Sequence, residues 1–129
     1  MRLKSLIVGG ILAAMASTAA LPALAQDSVY VPLFSYRTGP YAGSGIPIAN
    51  GMSDYLTMLN ERDGGINGVK INVEECETGY DTQKGVECYE QVKAKNPLVI
   101  SPYSTGITLQ VIRKAGVDKF PVLSMAYGL

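Results

Sequence analysis

LVISPYSTG, Leu98 to Gly106, is the stretch that decides the fold. Leu98, Val99 and Ile100 form a short apolar run, enough for a buried strand. Ser101, Pro102 and Tyr103 end it. Ser104 and Thr105 then open a helix predicted over Gly106–Ala115, with Gly116 as its expected stop. A strand running straight into a helix leaves the first helical N–H groups without partners at the sheet's carboxyl edge. Those donors, two hydroxyls and the positive end of the helix dipole suit a small anion. On this loop alone two readings stand: an ordinary helix cap, or half of a ligand site.

Outward on the amino side, Asn96-Pro97 ends a helix predicted over Gln83–Lys95, capped by Asp81 or Thr82. Val86, Tyr89 and Val92 are its inward residues, and Gly85 is expected to weaken its first turn. Cys76 to Tyr80 reads as a loop. Before it, VKINVEE (Val69–Glu75) alternates Val69, Ile71 and Val73 with polar residues, the pattern of a half-exposed edge strand. Asp63 to Gly68 is a dense turn signal in which Gly64 or Gly65 can end a helix. That helix is predicted over Ile46–Arg62, with Ile48, Met52, Tyr55, Leu56 and Leu59 as its apolar stripe. Val29 to Tyr36 reads as a strand apolar on both faces, in which Pro32 removes one ladder donor.

On the carboxyl side Phe120 to Ser124 is a fourth short strand. The order β-α-β-α-β-α-β gives an α/β fold, a parallel sheet flanked by helices. A strand order of 2-1-3-4 puts the topological switch between strands one and three, and ligands of such sheets bind beyond the carboxyl ends there. The Arg37–Gly45, Ser104 and Ala126 loops all leave those ends, which favours the ligand reading of Ser104. The spacing does not support a nucleotide site. Gly43 and Gly45 make G-x-G, but Ile48 stands where the third glycine belongs, and no Walker lysine follows.

The chain of 129 residues opens with Arg2 and Lys4, an apolar run from Leu6 and the small residues Ala23-Leu24-Ala25. This has the form of a secretory signal peptide over residues 1–25, cleaved after Ala25; an uncleaved anchor is the alternative. The remainder, residues 26–129, then keeps 9 of the 11 basic residues beside 11 acidic ones. It carries no basic cluster, so nucleic acid is not an expected partner. Export places Cys76 and Cys88 in an oxidising compartment, and a disulfide between them is expected. With no histidine and no CxxC pair, a metal site is not expected. The missing histidine also removes Ser-His and Cys-His nucleophile pairs, and Glu74, Glu75 and Glu77 sit near the sheet edge rather than as a convergent pair. An enzyme is not expected, and no cofactor is implied.

Three segments in order carry a family resemblance: TGPYAGSG (38–45), NERDGGINGVKI (60–71) and SPYSTGITL (101–109). From about Val29 to Leu129 the chain resembles the periplasmic solute-binding proteins of ABC transporters, in the Leu/Ile/Val-binding (type I) group. The resemblance implies a two-lobed periplasmic carrier, monomeric, that closes on a small amino acid or related carboxylate or amide. It passes its solute to an inner-membrane permease with an ATPase. A receptor or sensor ectodomain of the same fold is the alternative. The resemblance also implies that Ser104 and Thr105 hold the ligand carboxylate together with the backbone of Ala126 and Gly128. Gly128 replaces an expected threonine, and Ser44 an aromatic of the first loop. Tyr103 and Tyr127 flank the cleft or pack between lobes, and Arg37 either meets a second acidic group or is a solvated loop charge. Residues 26–129 match only part of a first lobe, as in a fragment or a truncated product. Half of a clamp lacks the contacts of the opposing side, so tight binding by it alone is not expected.

Overall fold

The structure is a computed structural model, and it describes residues 28–125. The elements are β1 (Ser28–Ser35), α1 (Ala42–Arg62), β2 (Lys70–Glu77), α2 (Thr82–Lys93) and α3 (Thr105–Asp118). β1 and β2 pair in parallel, with Ser28 opposite Lys70 and Ser35 opposite Glu77. This is the expected α/β arrangement, a parallel sheet with flanking helices. The proposed signal peptide, Ala126, Tyr127 and Gly128 lie outside the described residues.

The pleat sorts the side chains of β1 between two faces. Tyr30 and Phe34 join the core with Cys88, Tyr89 and Val92 of α2, Ile107, Val111 and Ala115 of α3, and Ile100. Val31 and Leu33 face the other way, towards Met52 and Leu56 of α1. Ile48 and Tyr55 of the expected α1 stripe are exposed, while Gly45 and Ala49 are the buried positions of that helix. α1 begins at Ala42, four residues before the expected Ile46, and holds Pro47 inside it. Its start is fixed where Gly45 passes close to the Tyr36 carbonyl, rather than by the apolar period.

The third and fourth strands shrink to a single parallel bridge, Ile100 with Val122. Hydrogen bonds still trace the expected order 2-1-3-4. The Leu98 N–H donates to the Tyr30 carbonyl, and Ile100 and Val122 are joined through Ile100 N to Pro121 O and Leu123 N to Ile100 O. The Tyr30 carbonyl faces the Leu98 segment, so Pro32, two residues on, turns its nitrogen to the same side. That nitrogen has no hydrogen to give, which breaks the ladder where the third strand needs it.

Two other boundaries shift. β2 runs on to Glu77, so Cys76 lies within a strand instead of opening a loop. α3 passes Gly116 and ends with Lys119 in the left-handed conformation, φ 62°. The Phe120 N–H then donates to Ala115 O, and Phe120 packs on the core. That closing bond and apolar contact set the stop in place of glycine.

β2 is the edge strand the alternation predicts, and α1 covers it. The Asn60 side chain donates to the Ile71 carbonyl at 2.7 Å and accepts from the Ile71 N–H at 2.8 Å. One amide thus takes the place of a neighbouring strand and blunts the edge. Asn60→Ala is expected to cost about 1–2 kcal/mol, since two part-buried backbone groups lose their partner. A urea titration checks it; an unchanged midpoint refutes the role given to Asn60.

Candidate functional site

Ser104 is the N-cap of α3, in extended geometry (φ −148°, ψ 130°), and its hydroxyl accepts from the Ile107 N–H at 3.4 Å. The same residue's carbonyl accepts from Thr108 through its N–H at 2.9 Å and its hydroxyl at 2.8 Å. Ser104 is only 3% exposed, whereas Thr105 and Gly106 are half-buried. Access to the helix start therefore runs past Thr105 and Gly106. A serine hydroxyl has one proton to donate, and this cap uses only its acceptor capacity. Gly106 lies against α2, since a Cβ there would stand 2.8 Å from the Thr82 hydroxyl. The starts of α2 and α3 are thereby brought together at the carboxyl edge of the sheet.

Tyr103 stands beside Ser104 with φ 53°, a left-handed conformation unusual for an aromatic residue. It lines an apolar groove with Val31, Leu33, Met52, Leu56 and Leu123, on the α1 side of the sheet. Ser101 ties this corner to the fourth segment by donating its hydroxyl to Leu123 O at 3.0 Å.

The loop after β1 and the loop after β2 form the adjoining rim. A Cβ on Gly39 would lie 2.5 Å from the Gly79 carbonyl oxygen, so the two backbones touch. Tyr80 also has a positive φ, 63°, and its ring packs on Tyr36 (centroids 5.1 Å apart) and on Tyr41 (4.5 Å). Tyr41 leaves about half of its surface, 55%, in solvent. This aromatic group was not legible in the sequence, where Tyr41 and Tyr80 lie 39 positions apart with no period linking them.

Charges at the rim are paired within the chain. Arg37 binds Glu75 through Nε, and through Nη2 at 3.1 Å, while its Nη1 donates to Asn50 Oδ1 at 2.6 Å. The structure thus pairs Arg37 within the chain, with its side chain still partly exposed. Hydrogen bonding to Arg37 holds the Glu75 carboxyl below its ordinary range. Glu77 is held at about 2. Burial alone would raise it. Donors from the Ser35 hydroxyl and from Arg37 and Thr38 outweigh that effect.

A family model described as "Periplasmic binding protein" matches residues 28–129. The chain belongs to that family. Solved structures agree with it. An ABC transporter permease from the Pseudomonas fluorescens group is 42% identical over 74% of this chain and 24% of its own, with a TM-score of 0.69. A fatty acid ABC transporter substrate-binding protein from Thermomonospora curvata is 26% identical over 78% and 26%, TM-score 0.70. The branched-chain amino acid transporter substrate-binding protein LivJ of Streptococcus pneumoniae, in complex with isoleucine, shares the fold at 20% identity over 77% and 29%, TM-score 0.68. No curated protein sequence matches. The chain spans about a quarter of the length of these structures.

In this periplasmic binding protein the expected Cys76–Cys88 disulfide is present, with Cα atoms 5.9 Å apart. Of the expected ligand residues, Tyr103, Ser104 and Thr105 stand together at the α3 start. Ala126, Tyr127 and Gly128 follow the last described residue, Met125. Among the described residues no helix is long and apolar enough to cross a membrane, and no group of three His, Cys, Asp or Glu could hold a metal.

Proposed function

We propose that this chain is part of the first lobe of a solute-binding component of an ABC importer. It takes an amino acid or related small carboxylate or amide in a cleft between two lobes. Residues 1–25 serve as the signal peptide and residues 26–129 belong to the lobe, so the product acts in the periplasm as a carrier. It works by binding and release, without catalysis, and its protein partner is the membrane permease with its ATPase.

The observation that carries this reading is the α3 start. A 14-residue helix points its unpaired N–H groups out of the sheet's carboxyl edge, capped by a hydroxyl with a proton still to give. A ligand carboxylate accepts from that hydroxyl and from the amides of Thr105 and Gly106, and the helix dipole favours its charge. Backbone groups of Ala126 and Gly128 complete the carboxylate's partners, with Tyr103 and Tyr127 beside the rest of the ligand. The names of the relatives support the class: one is named for a fatty acid, itself a carboxylate, and one was solved with an amino acid.

The test is a thermal-shift and calorimetric screen of the natural gene product against amino acids, amides, fatty acids and aromatic acids. Ser104→Ala is expected to weaken the best carboxylate at least tenfold, through loss of a charge-assisted hydrogen bond worth about 1.5–3 kcal/mol. The folding cost is small, about 0.5–1 kcal/mol, because the 3.4 Å cap bond is long. Equal affinity in Ser104→Ala refutes the site.

A further inference from the structure

The proposed cleft needs its rim loops in one shape, and a single carboxylate holds them. Glu77 is the last residue of β2, yet its oxygens serve mainly the loop after β1. Oε2 accepts from the Ser35 hydroxyl at 2.7 Å and the Arg37 N–H at 2.9 Å. Oε1 accepts from the Thr38 N–H at 3.1 Å, the Thr38 hydroxyl at 2.8 Å and the Gly79 N–H at 3.0 Å. Three of these donors are backbone amides, drawn from two loops whose backbones touch at Gly39 and Gly79. An ionised carboxylate is acceptor-only, which suits five converging donors.

We propose that Glu77 is the positioning residue of the rim. Its carboxylate fastens the β1–α1 loop to the β2–α2 loop and so fixes where Tyr41 and Tyr80 stand on the rim. This rests on the cleft reading above. The role is separate from that of Glu75, which ties the Arg37 side chain and accepts from none of the three amides bound by Glu77. A glutamine in place of Glu77 keeps the shape but must turn its NH2 group towards at least one N–H, a donor facing a donor.

The experiment compares Glu77→Gln and Glu75→Gln with wild type in the natural gene product. Hydrogen-exchange mass spectrometry follows the amides of Arg37–Gly39 and Gly79, with the α2 and α3 core amides as an internal reference. Glu77→Gln is expected to speed exchange at the loop amides at least tenfold while the core stays protected; Glu75→Gln leaves those amides near wild type. Unchanged loop exchange in Glu77→Gln, or equal acceleration in loop and core, overturns the proposal. Calorimetry with L-leucine, L-phenylalanine, palmitate and benzoate as probes adds the binding arm. Loss of affinity in Glu77→Gln for a probe that wild type binds supports the positioning role, and retained affinity with a loosened rim overturns it. If wild type binds none of the four, the exchange arm alone decides whether Glu77 fixes the rim, and the screen across other carboxylates and amides decides the cleft.

Discussion

Gly45→Ala is expected to destabilise the fold by about 3 kcal/mol. The added Cβ would stand 1.9 Å from the Tyr36 carbonyl oxygen, 2.8 Å from its carbonyl carbon and 2.4 Å from Cδ2 of its ring. Two of these atoms are backbone just past the end of β1, so no rotamer change relieves the contact. The first turn of α1 has to lift away from the strand, and the loop from Arg37 to Tyr41 has to follow. Overpacking of this kind costs about 1–3 kcal/mol, and more where backbone must shift. Alanine's better helix propensity returns at most about 1 kcal/mol. Gly43→Ala is the control: it lies two residues away in the same helix, and nothing stands within 4 Å of its added Cβ. Urea titrations of both variants check the prediction. Gly45→Ala at or above wild-type stability would show that α1 does not seat on Tyr36 as described.

The contrast between these glycines shows what the sequence could and could not convey. Periodicity placed the first two helices and the second strand within a few residues, because buried faces repeat at fixed intervals; a cap signal placed the third helix and an apolar run the first strand. The alternation of Val69, Ile71 and Val73 marked an edge strand, and the edge is real. The glycines were harder. Gly85 read as a weak point in its helix, yet it is buried, and a Cβ there would lie 2.4 Å from Cγ1 and Cδ1 of Ile107 and 2.6 Å from Cγ2. It is the notch through which α2 meets α3. Gly45 read as part of a loop and is a helix seat. Such roles depend on what lies across the gap, and no local pattern reports that. The site was legible to the same degree. Ser104 at the end of an apolar run announced a capped helix at a carboxyl edge. Glu77, Tyr41 and Tyr80 announced nothing, because their meaning arises only when two loops 40 residues apart are laid side by side.

Removal of the disulfide is the other large effect, expected at about 3 kcal/mol for Cys76→Ala with Cys88→Ala. The bridge spans a sequence separation of 12. In the chain-entropy account, closing a loop of that length in the unfolded chain is worth about 3 kcal/mol. Its placement adds a native-state role. Cys88 is 3% exposed in the core beside Tyr89, and Cys76 is packed against that core one residue before Glu77. The bridge therefore joins the strand end that carries the rim to the helix that anchors the core. Cys88→Ala also trims a sulfur from a packed site, which deepens the loss slightly. The measurement is urea unfolding of wild type and the double variant, each with and without dithiothreitol. Reductant is expected to lower wild-type stability nearly to that of the double variant and to leave the variant unmoved. If oxidised and reduced wild type unfold at the same urea concentration, the covalent tie contributes nothing, and the noncovalent packing of α2 on β1 must hold the strand end by itself.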